Sequence, residues 1–495
     1  TKDRPPVKRQ SQPDHSKLWK GNALLILLAS IALARAAQIA WLSDDSFLSM
    51  RYAENFALGN GLVFNPGEHV EGYTNFLWTI ILAALYACGI SMVTAATYLG
   101  LLFYTLLAIT LAYSASTYHK KAGFHYIPVA SAFALISDDF HQWASGGLET
   151  LMFSCFSLIG MMLTRKDEHT ASSVLAMGIV FSLLVLTRMD GVLIVMAGAF
   201  SLLMPNKAGT LSDRLLTATL AMLPVMTTLA AWLLFKWHYY HDFFPTAFYS
   251  KMATQQYFSQ GVLYLALFLK KNWSIPAFIL VSIIFTTTQK RNRNSDKDIA
   301  AYLIAFTVYG MYTIYTGGDF MFARKWILIL PLLLLAFQVF MGSISSAKTS
   351  IITSLLFLAC SAFPTSIYKD GNVVIHYIAN EKEFYTARNN DQRKLQADET
   401  SRVFSNSHAK LVIDGGLLML AYHSKLPYFV ETTGLTQYEI AKQAVTQRGY
   451  IGHEKLAAPE WLEANNVNIR ITNKWPDSID YSEPQAVNEL LIVGK

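Results

Sequence analysis

Charge is scarce in this chain. Only 15% of its 495 residues are Asp, Glu, Lys or Arg, while 53% are hydrophobic and the mean hydropathy is +0.30. That balance, with the apolar residues gathered into long runs, excludes an ordinary water-soluble domain. Cysteine is scarcer still. Cys88, Cys155 and Cys360 lie in or beside apolar segments with no CxxC spacing, which reads as small buried hydrophobes rather than a disulfide framework or zinc site. No Walker-type lysine loop occurs, and Gly59 with Gly61 is too little to cradle a nucleotide. His453-Glu454-Lys455 falls short of the HExxH spacing of zinc hydrolases, and there is no internal repeat.

The apolar runs themselves predict a polytopic α-helical membrane protein of about eleven spans. The net charge of +6, from 40 Lys and Arg against 34 Asp and Glu, orients it, because the basic residues cluster between runs. Residues 1–20 read as a basic cytoplasmic tail and 22–42 as a retained first helix. The run 76–90 is short. If it is re-entrant or interfacial, His119-Lys120-Lys121, Arg165-Lys166, Lys207 and QKRNRNSDK (289–297) all fall inside, and the carboxylate-bearing turns fall outside.

Residues 21–364 therefore read as the membrane domain. Beyond Pro364 there is no spanning run. Strand-like KLVID (410–414), YFVE (428–431), VNIRIT (467–472) and LLIVG (490–494) alternate with helical patterns at 417–424 and 458–466. Residues 365–495 are expected to form an extracytoplasmic α/β domain.

One polar stretch organises the rest: 43–75, read as an outer loop, with Asp44, Asp45, Glu68, Glu71 and Arg51 directly after the first helix. Charges at membrane depth are costly unless they bind something. Other outer turns carry them too: Asp138, Asp139 and Glu149; Arg188 and Asp190; Asp242 and Lys251; Asp319 and Arg324. Asp44 and Asp45 could hold a divalent cation or act as a general base. Carboxylates, cations and aromatics together at a membrane surface suit transfer of a sugar from a lipid phosphate. The cations would neutralise the leaving phosphate, the rings would stack on sugar faces, and a carboxylate would deprotonate the acceptor hydroxyl.

The strings DDSFLSMRYAENFALGNGLVFNPGEHVEGYTNFLW (44–78), SGGLET (145–150), TRMDG (187–191), YYHDFFPTAFYSK (239–251) and GGDFMFARK (317–325) carry a resemblance. So do TTGLTQYEIA (432–441) and GHEKLAAPEWL (452–462). Together they resemble the GT-C polyprenyl-phosphate-sugar glycosyltransferases, in the branch of arabinofuranosyltransferases that cap cell-wall arabinan or modify pilin. The resemblance implies a multi-pass enzyme of the bacterial cytoplasmic membrane, with its active site on the extracytoplasmic side. It would move D-arabinofuranose with inversion from a polyprenyl phosphate to a glycan or protein acceptor, with no nucleic acid involved. It makes Asp45 or Asp44 the base, Arg51, Arg188, Lys251 and Arg324 the phosphate ligands, and Glu68, Glu71, Tyr73, Asn75, Glu149, Asp190, Asp242, Asp319 and His453 the sugar-binding or loop-bracing groups. It specifies no cofactor and leaves metal dependence open, a divalent cation at Asp44 and Asp45 being the candidate. Two alternatives use the same residues: a transporter or flippase of lipid-linked sugar, and a GT-C hexosyltransferase such as a mannosyltransferase. Transporters tend to carry charge at mid-membrane in symmetry-related broken helices, whereas here it sits at helix ends.

Overall fold

The computed structural model describes residues 15–120, 127–166, 168–204, 210–251, 256–369, 371–405, 407, 409–445 and 448–471. Most of the basic tail, Lys121, Lys207 and the expected strand 490–494 lie outside these. From His15 the chain is already helical, running to Gln38.

A helix meets every expected span, although 124–137 yields only Val129–Ile136. Among the described residues three helices are long and apolar enough to cross a membrane alone: Met92–Thr117, Leu211–Tyr240 and Arg324–Ser343. Phe258–Lys271 and Ser274–Thr288 pass that test as a pair but meet at 86°. Most of Arg324–Ser343 is buried, and it forms a central pillar against which Met92–Lys120, Val129–Ile136, Thr150–Thr164 and Asp296–Tyr315 pack. Helix Phe76–Ala87 has 12 residues, and at 1.5 Å each it is about 18 Å long, short of a bilayer core of about 30 Å.

The stretch 43–75 is not all loop. Its first half is the helix Asp44–Ala57, with Asp44 and Asp45 in the first turn, where the helix dipole favours negative charge. Residues 46–53 are buried on every side of it, Phe47, Leu48, Met50, Tyr52 and Ala53 among them. The apolar spacing that drives this helix is in the sequence, but the acidic start masks it.

The two ends of the bundle gather different turns. At one end Arg165 pairs with Asp298 at 2.8 Å and the Asn292 amide donates to the Ser343 carbonyl, which gathers the basic turns. The acidic and basic turns named above gather at the other end.

The later residues cap that end. Strands β1 (Val374–Ile375) and β2 (Ile378–Ala379) form a short antiparallel hairpin. Ala379 exchanges backbone hydrogen bonds with Phe320 and Phe322, stitching the hairpin to the turn before the central pillar. Strands β3 (Lys410–Ile413), β4 (Phe429–Glu431) and β5 (Val467–Ile471) make a parallel sheet in the order β4-β3-β5. Helices Leu418–Ser424 and Pro459–Ala464 lie where helical patterns were expected, and a further helix, Ala387–Phe404, was not anticipated.

Candidate active site

Two turns need glycine to present their carboxylates. Gly147, at φ +76, leaves no room for a Cβ beside Leu42 and Ser46, and it turns the chain so that Glu149 starts the next helix. Gly318, at φ +81, presses on the Tyr264 ring just before Asp319. Ala323 then takes φ 63, which is sparsely populated for a residue with a Cβ, and the helix that follows opens with Arg324 facing back to Asp319.

A cleft of about 160 Å³ opens between these turns. Its charges are paired: Arg188 with Glu149 (2.6 Å) and Asp190 (2.9 Å), Lys325 with Asp190 (2.9 Å), Lys236 with Glu71 (2.9 Å), and Arg324 with Asp319 (2.6 Å). Asn75 donates to the second oxygen of Glu149 at 2.8 Å. Burial pushes the Glu149 carboxyl up, but Arg188, Arg324 and Asn75 outweigh it and hold the group below its ordinary range. The same contest at Asp319 is decided by Arg324, Lys251 and Lys325. At Glu71 burial wins over Lys236 and lifts the group to about 7. Tyr73 lines the cleft with its hydroxyl 3.2 Å from that of Tyr240.

Asp44 and Asp45 part company here. Both oxygens of Asp44 accept backbone amides, from Leu418 and Met419 at 2.9 Å each, so Asp44 caps the helix Leu418–Ser424. Burial, partly opposed by Arg393 and these amides, lifts its carboxyl to about 6. Asp45 instead lies 3.7 Å from both Lys251 and Arg324 and accepts no hydrogen bond among the described residues. It borders the cleft on one side and, on the other, a second cavity of about 200 Å³ beneath the cap, which also contains His453.

The structure corrects two expectations. Arg51 is not a phosphate ligand: its guanidinium donates to the carbonyls of Phe64, Ala421, Leu426 and Pro427 and lies against the Phe64 and Phe429 rings. It ties the cap to the helix Asp44–Ala57. Asp44 and Asp45 do not fit a divalent cation, because the oxygens of one are taken by amides and the other faces two cations. Among the described residues no group of three or more His, Cys, Asp or Glu could hold a metal ion. Asp242 stays out of the cleft, bracing the aromatic turn through Lys442 (2.6 Å), Tyr249 and the Phe244 amide. Glu68 braces too, accepting from Asn65 and Gln437.

Sequence reasoning missed Lys236 and Lys325 in the cleft and Glu381, Arg393 and Glu431 in the second cavity. Lys236 was legible as a lone cation in the apolar run LLFKWHYY, itself a signal of function. The others carry no such mark.

The chain is a polytopic membrane glycosyltransferase, by its similarity to the proteins that follow. It is 26% identical over 528 aligned residues to the terminal β-(1→2)-arabinofuranosyltransferase of Corynebacterium glutamicum, an alignment covering 88% of this chain and 76% of that protein. It is 25% identical over 332 residues to the Mycobacterium tuberculosis protein of the same name, covering 59% of this chain and 51% of the relative. No protein-family model matches. Among solved structures, ArnT from Cupriavidus metallidurans bound to undecaprenyl phosphate aligns with a TM-score of 0.47 and 12% identity, over 87% of this chain and 77% of that one. The oligosaccharyltransferase of Archaeoglobus fulgidus aligns at 0.49 and 11%, over 90% and 68%.

Proposed function

We propose that this GT-C-type enzyme transfers D-arabinofuranose, with inversion, from a polyprenyl phosphate to an acceptor on the extracytoplasmic side of the bacterial cytoplasmic membrane. Residues 21–364 supply the donor cleft and residues 365–495 close it from outside. The observation that carries this reading is the state of Asp45: a carboxylate with no hydrogen bond among the described residues, placed where two cavities meet. The acceptor O–H gives its proton to Asp45 as its oxygen bonds to the anomeric carbon. The bond from that carbon to the phosphate oxygen breaks, and polyprenyl phosphate leaves with one more negative charge than the donor phosphate carried. Lys251 and Arg324, each 3.7 Å from Asp45, are the cations nearest the base, and Arg188, Lys236 and Lys325, though paired, bring further donors to the cleft that receives the charge.

Purified protein incubated with polyprenyl-phosphate arabinose, mannose and glucose, with the released lipid phosphate measured, tests the reading. Consumption of the arabinose donor is expected. Consumption of a hexose donor alone would reassign the sugar, and consumption of none would overturn the reading.

A further inference from the structure

The two cavities share Asp45 and Lys251 but differ in chemistry. The cleft is a lattice of paired charges, whereas the second cavity offers aromatic rings and polar atoms without partners. The Tyr450 and His453 rings stack at 4.3 Å and 14°, and Phe320 meets both edge-on. Glu431 is fully buried, and its Oε1 has no hydrogen-bond partner. Arg393, 8% exposed, leaves Nε and Nη1 unpartnered. Glu381, 5% exposed, accepts no hydrogen bond among the described residues. Buried polar atoms are rarely left unmatched, so three such groups around one space point to a polar ligand that completes them. The carboxyl groups of Asp44, Asp45, Glu381 and Glu431 outnumber Lys251 and Arg393, which leaves no net positive charge for an anionic ligand, and the mixture of donors and acceptors suits hydroxyls, which do both.

We propose that this second cavity is the acceptor subsite and that it takes a neutral sugar ring, making the acceptor a glycan rather than a protein side chain. The ring's apolar face packs against the Tyr450–His453 stack and Phe320, and its hydroxyls bond Glu381, Glu431 and Arg393. Its nucleophilic hydroxyl turns toward Asp45. This rests on the glycosyl-transfer reading above.

The test uses the full-length protein in detergent with two acceptors, a short arabinofuranosyl oligosaccharide and a short serine-containing peptide. Binding of each is measured without donor, by saturation-transfer NMR, and transfer is measured with donor. The oligosaccharide should bind and the peptide should not. Tyr450→Ala and Arg393→Gln should each weaken oligosaccharide binding and raise its KM by about tenfold, leaving the donor KM unchanged, while Tyr450→Trp restores binding. The melting temperatures of the variants exclude loss of fold. Absent oligosaccharide binding, unaltered binding in both variants, or equal use of the peptide would overturn the proposal. Oligosaccharide binding without consumption of any donor would sink the transferase reading and leave the sugar subsite standing.

Discussion

Asp45 stands 3.7 Å from the Lys251 ammonium. That separation keeps the two groups in electrostatic contact without committing either to a hydrogen bond. A base must be able to exchange partners during a reaction, and Asp45 has that freedom where Asp44 does not. Asp45→Asn should therefore fold normally and lose transfer by about 100-fold or more, the scale of a general base. Turnover of the purified variant, with its melting temperature as control, checks this, and unchanged turnover would remove the role.

Asp44→Asn should do the opposite. It replaces one amide-accepting oxygen with a donor, so the cap on Leu418–Ser424 is weakened by about 1 kcal/mol and the melting temperature falls. A variant as stable as the parent would show that the two amide bonds contribute nothing.

Lys236 and Glu71 are each 1% exposed at the side chain and pair at 2.9 Å. Lys236→Met should cost about 3 kcal/mol, the low end for a broken buried pair, because Glu71 can take up a proton once its partner is gone. Adding Glu71→Gln should recover stability but not transfer. Thermal unfolding of the single and double variants decides it.

Arg51→Lys keeps the charge but cannot present a planar fork to four carbonyls. The cap should become sensitive to limited proteolysis, with about 2 kcal/mol lost, while the donor KM stays within about twofold. A rise in donor KM with an intact cap would return Arg51 to the donor site.

Burial, then Asp45 and Asp44, with Asp319 adding to them and Arg324 opposing, lifts the Glu381 carboxyl from an ordinary 4.5 to about 8. At neutral pH it is protonated. As pH rises through 8 it ionises, loses its donor proton, and the acceptor KM should climb. Because the folded value lies above the unfolded one, its contribution to stability is complete below about 4.5 and is lost as pH rises toward and through 8. Glu381→Gln should abolish this alkaline limb of the KM profile and melt higher than the parent above pH 8. An identical pH profile in both proteins would contradict it.

How far the sequence spoke depended on whether a signal was local. Strands at 410–414, 428–431 and 467–472 and the helical patterns between them were legible because each is a short run with its own periodicity. The turns carrying Glu149, Arg188 and Asp319 were legible because charge at a helix end stands out against apolar neighbours, and these turns do meet in one cleft. Arg51 misled because a formal charge says nothing about whether carbonyls already surround it. Glu381 and Arg393 were invisible because they reach the site only through the return of residues 371–404 onto the turn at Phe320–Phe322, a long-range pairing with no local mark.

One peptide unit joins the residue that clasps the helix Leu418–Ser424 to the residue that carries the proposed base. The two backbone amides that fix the first therefore also set where the second can stand, so the proposed base inherits its position from the cap.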